Sequence, residues 1–245
     1  MPRTKRIFSP SGYMHLILRG VGKQIIFEDS ADRRYFIKLL KHYSAENETT
    51  ILAYCLMDNH VHLLIHNTVG KTSFMMRRLE TSYAVYFNQK YERTGHLFQN
   101  RYLNENIENT GQLLRVFRYI LNNPAKAGIC SPFSYEWSSY HLYENDASFV
   151  DVSPIKKEIG SLSNLRAFLN ESNTDEFREA EIRLRNDEWA KKVLRETLQT
   201  ENGYCLQNLN RAERNKALHK LKAAGLTLRQ IERLTGISKS VIQRV

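Results

Sequence analysis

Apolar residues recur along the first part of the chain at two alternating periods. Residues 13–18 form a short, mostly apolar run that predicts a strand. Ser30 can cap a helix in which Tyr35, Phe36, Leu39, Leu40 and Tyr43 follow one another at i, i+1, i+4, i+5 and i+8. Two strand-like runs come next, 51–57 and 60–66, separated by Asp58-Asn59, residue types that tolerate the positive φ of a two-residue hairpin turn. A long helix over 72–91, a strand over 101–107 and a helix over 110–122 that stops at Pro124 complete the pattern. Strand, helix, strand, strand, helix, strand, helix describes an α+β domain, an antiparallel sheet covered by helices. Near the other end, 211–222, 227–234 and 238–244 read as three helices. Thr227 and Ser238 are suited to cap the second and third, Gly225 to end the first, and Gly236 to turn between the last two.

Side chains alternate along a strand, so Leu52, Tyr54, Leu56, Val61, Leu63 and Ile65 share one face of the hairpin and suit a core. The other face carries Cys55 and Met57 beside His60, His62, Leu64 and His66. Histidines at i and i+2 project the same way about 6–7 Å apart, which lets both imidazoles converge on one cation. His66 lies roughly 13 Å beyond His62 at about 3.3 Å per residue, too far to share it, and reads as structural or surface. Two alternatives stay open. The pair can be merely satisfied or exposed, and Cys55, across the hairpin from His62, could add a thiolate to a zinc site or simply be a small buried residue.

On a helical wheel of 110–123, Leu113, Leu114, Phe117, Ile120 and Leu121 form an apolar stripe, with Gln112, Arg115, Tyr119 and Asn123 opposite. Tyr119 is therefore expected outside the core stripe, between Arg115 and Asn123 at spacings of four.

Charge identifies the kind of partner. The chain has 245 residues, 36 Lys and Arg against 26 Asp and Glu, and a formal net charge of +10, which favours a polyanion over an acidic small molecule. The excess is uneven: residues 1–150 carry 18 basic and 13 acidic side chains, 151–210 carry 9 and 11, and 211–245 carry 9 and 2. Such a shift marks module boundaries, giving a first domain over 1–150, a helical connecting region over 151–210 and a basic module over 211–245. Three widely spaced cysteines form neither a disulfide framework nor a metal clip and suit a reducing cytoplasm. No run approaches the roughly 18–20 apolar residues of a membrane span, and the first residues lack the apolar stretch of a signal peptide, so no membrane partner is expected.

The run Met57-Asp58-Asn59-His60-Val61-His62-Leu63-Leu64 resembles the HUH motif of single-tyrosine transposases, and the run from Tyr119 through Asn122-Asn123-Pro124 to Gly128 resembles their tyrosine helix. With Gly95-His96-Leu97-Phe98-Gln99-Asn100-Arg101-Tyr102 and the opening from His15 to Gly20, the likeness spans roughly 10–140 and points to the REP-associated tyrosine transposases. The resemblance implies a ferredoxin-like, RRM-like core and a metal-dependent endonuclease and strand transferase acting on single-stranded, hairpin-forming DNA. Tyr119 would be the nucleophile, leaving a 5′-phosphotyrosine. His60 and His62 would hold a divalent ion, Mg²⁺ or Mn²⁺, completed by Asn123, with Asn122 as alternative. Pro124 disfavours a helical conformation at Asn123 itself. His15, Arg19, Lys23, Arg101 and Arg115 are candidate DNA-backbone contacts.

Residues 224–242 are similar to a helix-turn-helix, which would turn Lys239, Ser240, Gln243 and Arg244 toward DNA. Two other readings use the same surfaces, a catalytically inactive DNA-binding regulator and an HUH replication initiator or relaxase. A homodimer is compatible with the spacing, because one copy's tyrosine helix could serve the other's histidines.

Overall fold

The computed structural model describes residues 10–67, 70–145, 148–171, 187–200 and 202–245, and divides into two compact units, 1–175 and 176–245. The division falls within the stretch 151–210 that charge groups as one connecting region. In the first unit the order is β1 (Tyr13–Arg19), α1 (Ser30–Glu46), β2 (Thr50–Met57), β3 (His60–His66), α2 (Lys71–Lys90), β4 (Leu103–Asn106) and α3 (Thr110–Leu121), as the periodicity predicts. The short α4 (Asn123–Lys126) follows at once, then α5 (Ser153–Ile159) and α6 (Leu162–Asn170).

The four strands make one antiparallel sheet in the order β2-β3-β1-β4. The Asp58-Asn59 turn sets Met57 opposite His60, so Tyr54, Leu56, Val61, Leu63 and Ile65 share a face with Met14, Leu16 and Leu18 of β1. All but Tyr54 are at most 1% exposed. Each buried aliphatic side chain contributes about 1.5–3 kcal/mol, which fixes the register, since a one-residue slip would turn this set outward. Strict alternation fails once. A bulge between Ile51 and Ala53 puts Ile51, where Leu52 was expected, opposite Ile65.

The helix starts also differ in detail. Asp29, and not Ser30, caps α1: its side chain accepts from the Asp32 amide while Asp32 reaches back to the Asp29 amide. Asp32 is fully buried and also accepts from Lys90 and Tyr91 at the end of α2, tying the two helices together.

The second unit contains α7 (Asp187–Leu198), a 3-10 turn (Gly203–Asn208), α8 (Arg211–Ala223), α9 (Leu228–Thr235) and α10 (Lys239–Arg244). Leu194, Leu206, Leu218, Leu221, Ile231, Ile237 and Ile242 form its core. Thr227 caps α9 in a capping box with Gln230, as its position suggested. Ser238 occupies the cap position of α10, but its hydroxyl pairs with that of Ser240 and caps no backbone amide. Gly236 ends α9 at φ +68°, a conformation that side-chain-bearing residues adopt at a cost, which is why a glycine turns the chain here. No helix among the described residues is long and apolar enough to cross a membrane.

Candidate functional site

The site sits on the second face of the sheet. The register places Arg19 across from His60 and Ile17 across from His62 on one side of β3, and Met57 and Cys55 on the other. On β1, His15 lies two residues from Ile17 on the same face, with Glu105 of β4 beside it. α3 lies over this face. The Tyr119 ring is 5.5 Å from that of His62 and 5.9 Å from that of His15, centroid to centroid, and meets both edge-on. The His60 and His62 rings are 4.9 Å apart. One chain thus brings the tyrosine and both histidines together without a second copy.

Tyr119 is 6% exposed, which corrects the expectation of an uncovered polar side on α3. The last turns of this helix are enclosed on more than one side. The sheet takes Tyr119, while α6 and the residue after it take the neighbouring positions: Arg118 stacks over Phe168 at 4.7 Å and pairs with Glu171 at 2.7 Å, and Asn122 Nδ2 donates to the Leu169 carbonyl at 2.8 Å. A helical wheel shows where side chains point and not what is packed there.

Pro124 breaks the helix after Leu121, with Asn122 as the corner residue. Asn123 is itself the first residue of α4, against the expectation that the proline would keep it out of a helical conformation; Pro124 then occupies the first turn, where its missing N–H is not needed. Asn123 Nδ2 donates to the carbonyls of Tyr119 (2.9 Å) and Ile120 (3.4 Å), fastening its buried side chain to the end of the tyrosine helix. Lys126, seven residues after Tyr119, returns over the tyrosine ring with Nζ 4.5 Å from the centroid.

The donor chemistry fits a divalent ion. His60 Nδ1 lies 2.6 Å from Asn59 Oδ1 and His62 Nδ1 lies 2.9 Å from His15 Nε2, so each imidazole is engaged at Nδ1, and Nε2 is the atom that a metal would take. The Asn123 nitrogen is engaged likewise, and its oxygen is the atom to offer. Among the described residues no three His, Cys, Asp or Glu side chains group to hold a metal, so an ion here would need a ligand of another kind beside the two imidazoles. Cys55 does not enlarge it. The thiol is fully buried, donates to the Met57 sulfur at 3.7 Å, and has its pKa pushed up by burial, which disfavours the thiolate that a metal requires.

The candidate DNA contacts separate. His15 is 0% exposed, so it cannot present itself to a DNA backbone, and that expectation is corrected: the residue is an interior link between Glu105 and His62. Arg19 is half-buried on the histidine face, Lys23 is exposed beside the hairpin turn, Arg101 is exposed ahead of β4, and Arg115 is exposed one turn before Tyr119. In the second unit Lys239, Ser240, Gln243 and Arg244 are all exposed along α10. His66 is exposed and packs on Tyr13 at 4.7 Å, in keeping with a surface role.

Glu105, Asn59 and Lys126 carry no site role in the reading of the sequence. The i, i+7 spacing of Lys126 to Tyr119 was a usable signal; the pairing of Glu105 with His15 was not, because it depends on the register of strands 90 residues apart.

Residues 9–123, which include both histidines, Tyr119 and Asn123, match the family model described as transposase IS200 like. The fold is similar to a solved structure of a REP-associated tyrosine transposase bound to a REP hairpin, at 16% identity and a TM-score of 0.50, with 62% of this chain and 94% of that one covered. No curated protein matches the chain. The resemblance read from the motifs is borne out, and the two chains share the α+β fold.

Proposed function

We propose that the first unit cleaves single-stranded DNA at hairpin-forming sites and rejoins it through a covalent tyrosine linkage. The observation that carries this reading is the placement of the Tyr119 ring 5.5 Å from His62, over the face that holds both histidines. The phenolic oxygen of Tyr119 attacks a backbone phosphorus, the bond from phosphorus to the 3′ oxygen breaks, and the DNA is left as a 5′-phosphotyrosine and a free 3′-hydroxyl. The phenol gives up its proton and the departing 3′ oxygen gains one. A phenol of pKa about 10 is a weak nucleophile at neutral pH, and the nearby ammonium of Lys126 favours its anionic form. His60, His62 and Asn123 would hold a divalent ion. Bound there, Mg²⁺ or Mn²⁺ supplies charge neutralisation and orientation to the scissile phosphate. A set of two imidazoles and an amide suits Mn²⁺ better than Mg²⁺ and suggests an exchangeable ion.

Arg19, Lys23, Arg101 and Arg115 are proposed as backbone contacts for the single strand. The second unit is proposed as a helix-turn-helix that grips duplex DNA or a hairpin stem through Lys239, Ser240, Gln243 and Arg244. That the solved transposase similar in fold is bound to a REP hairpin is in keeping with this substrate class.

The test is incubation with single-stranded hairpin DNA and Mn²⁺, read on a denaturing gel. A covalent adduct that disappears in Tyr119→Phe is expected. Binding without cleavage by the intact protein would favour a DNA-binding regulator, and full cleavage by His60→Ala would overturn the metal assignment.

A further inference from the structure

Two hydrogen-bonded lines reach the histidine pair from opposite sides, and each ends by dictating where a proton sits. On the first, the Lys23 carbonyl can only accept, and it takes a hydrogen bond from Asn59 Nδ2 at 3.3 Å. The amide is thereby oriented with Oδ1 toward His60 Nδ1, 2.6 Å away. An amide oxygen accepts, so Nδ1 of His60 must carry the hydrogen.

On the second, Glu105 Oε2 lies 3.4 Å from His15 Nδ1, and His15 Nε2 lies 2.9 Å from His62 Nδ1. A carboxylate accepts, so His15 Nδ1 donates. A neutral imidazole has one donor and one acceptor, so His15 Nε2 accepts and His62 Nδ1 donates. Two unrelated lines, one through the hairpin turn and one through the sheet edge, give the same answer: hydrogen on Nδ1, lone pair on Nε2.

We infer that Glu105 and His15 on one side, and Asn59 on the Lys23 carbonyl on the other, are positioning residues that lock His62 and His60 in the Nδ1–H tautomer. Its purpose rests on the metal-held site proposed above, since the lone pair of Nε2 is then ready before an ion arrives. The tautomers themselves belong to the metal-free protein. A solvent-exposed histidine side chain prefers hydrogen on Nε2, so both side chains are held against their own preference.

The full chain, metal-free and labelled with ¹⁵N-histidine, is examined by long-range ¹H–¹⁵N correlation above the imidazole titration range. His15, His60 and His62 are expected to show the Nδ1–H pattern, and the exposed His96 and His219 the Nε2–H pattern. An Nε2–H signal for His62 in the unsubstituted protein overturns the inference and involves no variant that could misfold. Glu105→Ala, on the partly exposed edge strand, and His15→Phe are expected to return His62 to the Nε2–H form and to weaken Mn²⁺ binding, read by titration, about 10- to 100-fold. An unchanged His62 tautomer in both variants also overturns it. If the tautomers are as expected and the unsubstituted protein takes up no Mn²⁺, the positioning stands and the metal reading fails.

Discussion

The Tyr119 ring stands at 88° to that of His62, edge against face, with the centroids 5.5 Å apart. This is a contact between rings that phenylalanine can retain, so Tyr119→Phe is expected to abolish the covalent DNA adduct while preserving the packing. Unfolding stability, measured by denaturant titration, should change by less than about 1.5 kcal/mol, the usual contribution of one hydrogen bond.

Lys126 holds its ammonium 4.5 Å from the centre of the same ring. Lys126→Met keeps the length of the side chain and removes the charge. Single-turnover cleavage should slow about tenfold, about 1.4 kcal/mol of barrier, because the charge that favours the attacking phenolate is removed, and hairpin affinity should fall much less. Equal losses in rate and affinity would make Lys126 a DNA-binding residue and not one that acts on the tyrosine.

Burial alone would raise the Asp32 carboxyl, but the hydrogen bonds from Lys90, Tyr91 and the amides of Glu28 and Asp29 outweigh it and hold its pKa below the ordinary value. A carboxyl depressed in the folded state contributes stability above its unfolded pKa and loses it as pH falls through the folded value. Asp32→Asn should therefore destabilise the protein by about 3 kcal/mol at neutral pH. The difference from the unsubstituted protein should shrink below about pH 4, as followed by urea unfolding across pH.

Lys239 and Arg244 are exposed on α10. Replacing both with alanine should lower affinity for hairpin DNA and flatten its salt dependence by roughly one logarithmic unit per residue, measured by fluorescence anisotropy at several salt concentrations. Cleavage of a short single strand lacking a stem should be unaffected.

The element order and the hairpin were legible because two apolar runs within 50–66 flank a two-residue turn of the right chemistry. The bulge that exchanges Leu52 for Ile51 was not, since both are apolar and the pattern does not distinguish them. The histidine pair and tyrosine were legible as a constellation, but the burial of Tyr119 was hidden because it depends on the sheet packing against that side of α3. His15 looked like a surface cation because the strand pattern leaves its face unspecified. Only the pairing of β1 with β4 reveals its carboxylate neighbour. The cap of α1 is legible too, since the box that Asp29 forms with Asp32 is written three residues apart in the sequence, one residue ahead of Ser30.

In the sheet order β2-β3-β1-β4, the strand carrying His60 and His62 is hydrogen-bonded along both sides, whereas Glu105 belongs to a short outer strand paired on one side within the sheet. Backbone amides of β3 should therefore be among the slowest in the protein to exchange with deuterium, opening only with the whole domain, and those of β4 should exchange through local fraying. The ends of the line from Glu105 to His62 are consequently expected to differ in permanence: the half that carries His62 should persist for as long as the domain stays folded, while the outer half should open and re-form within that time.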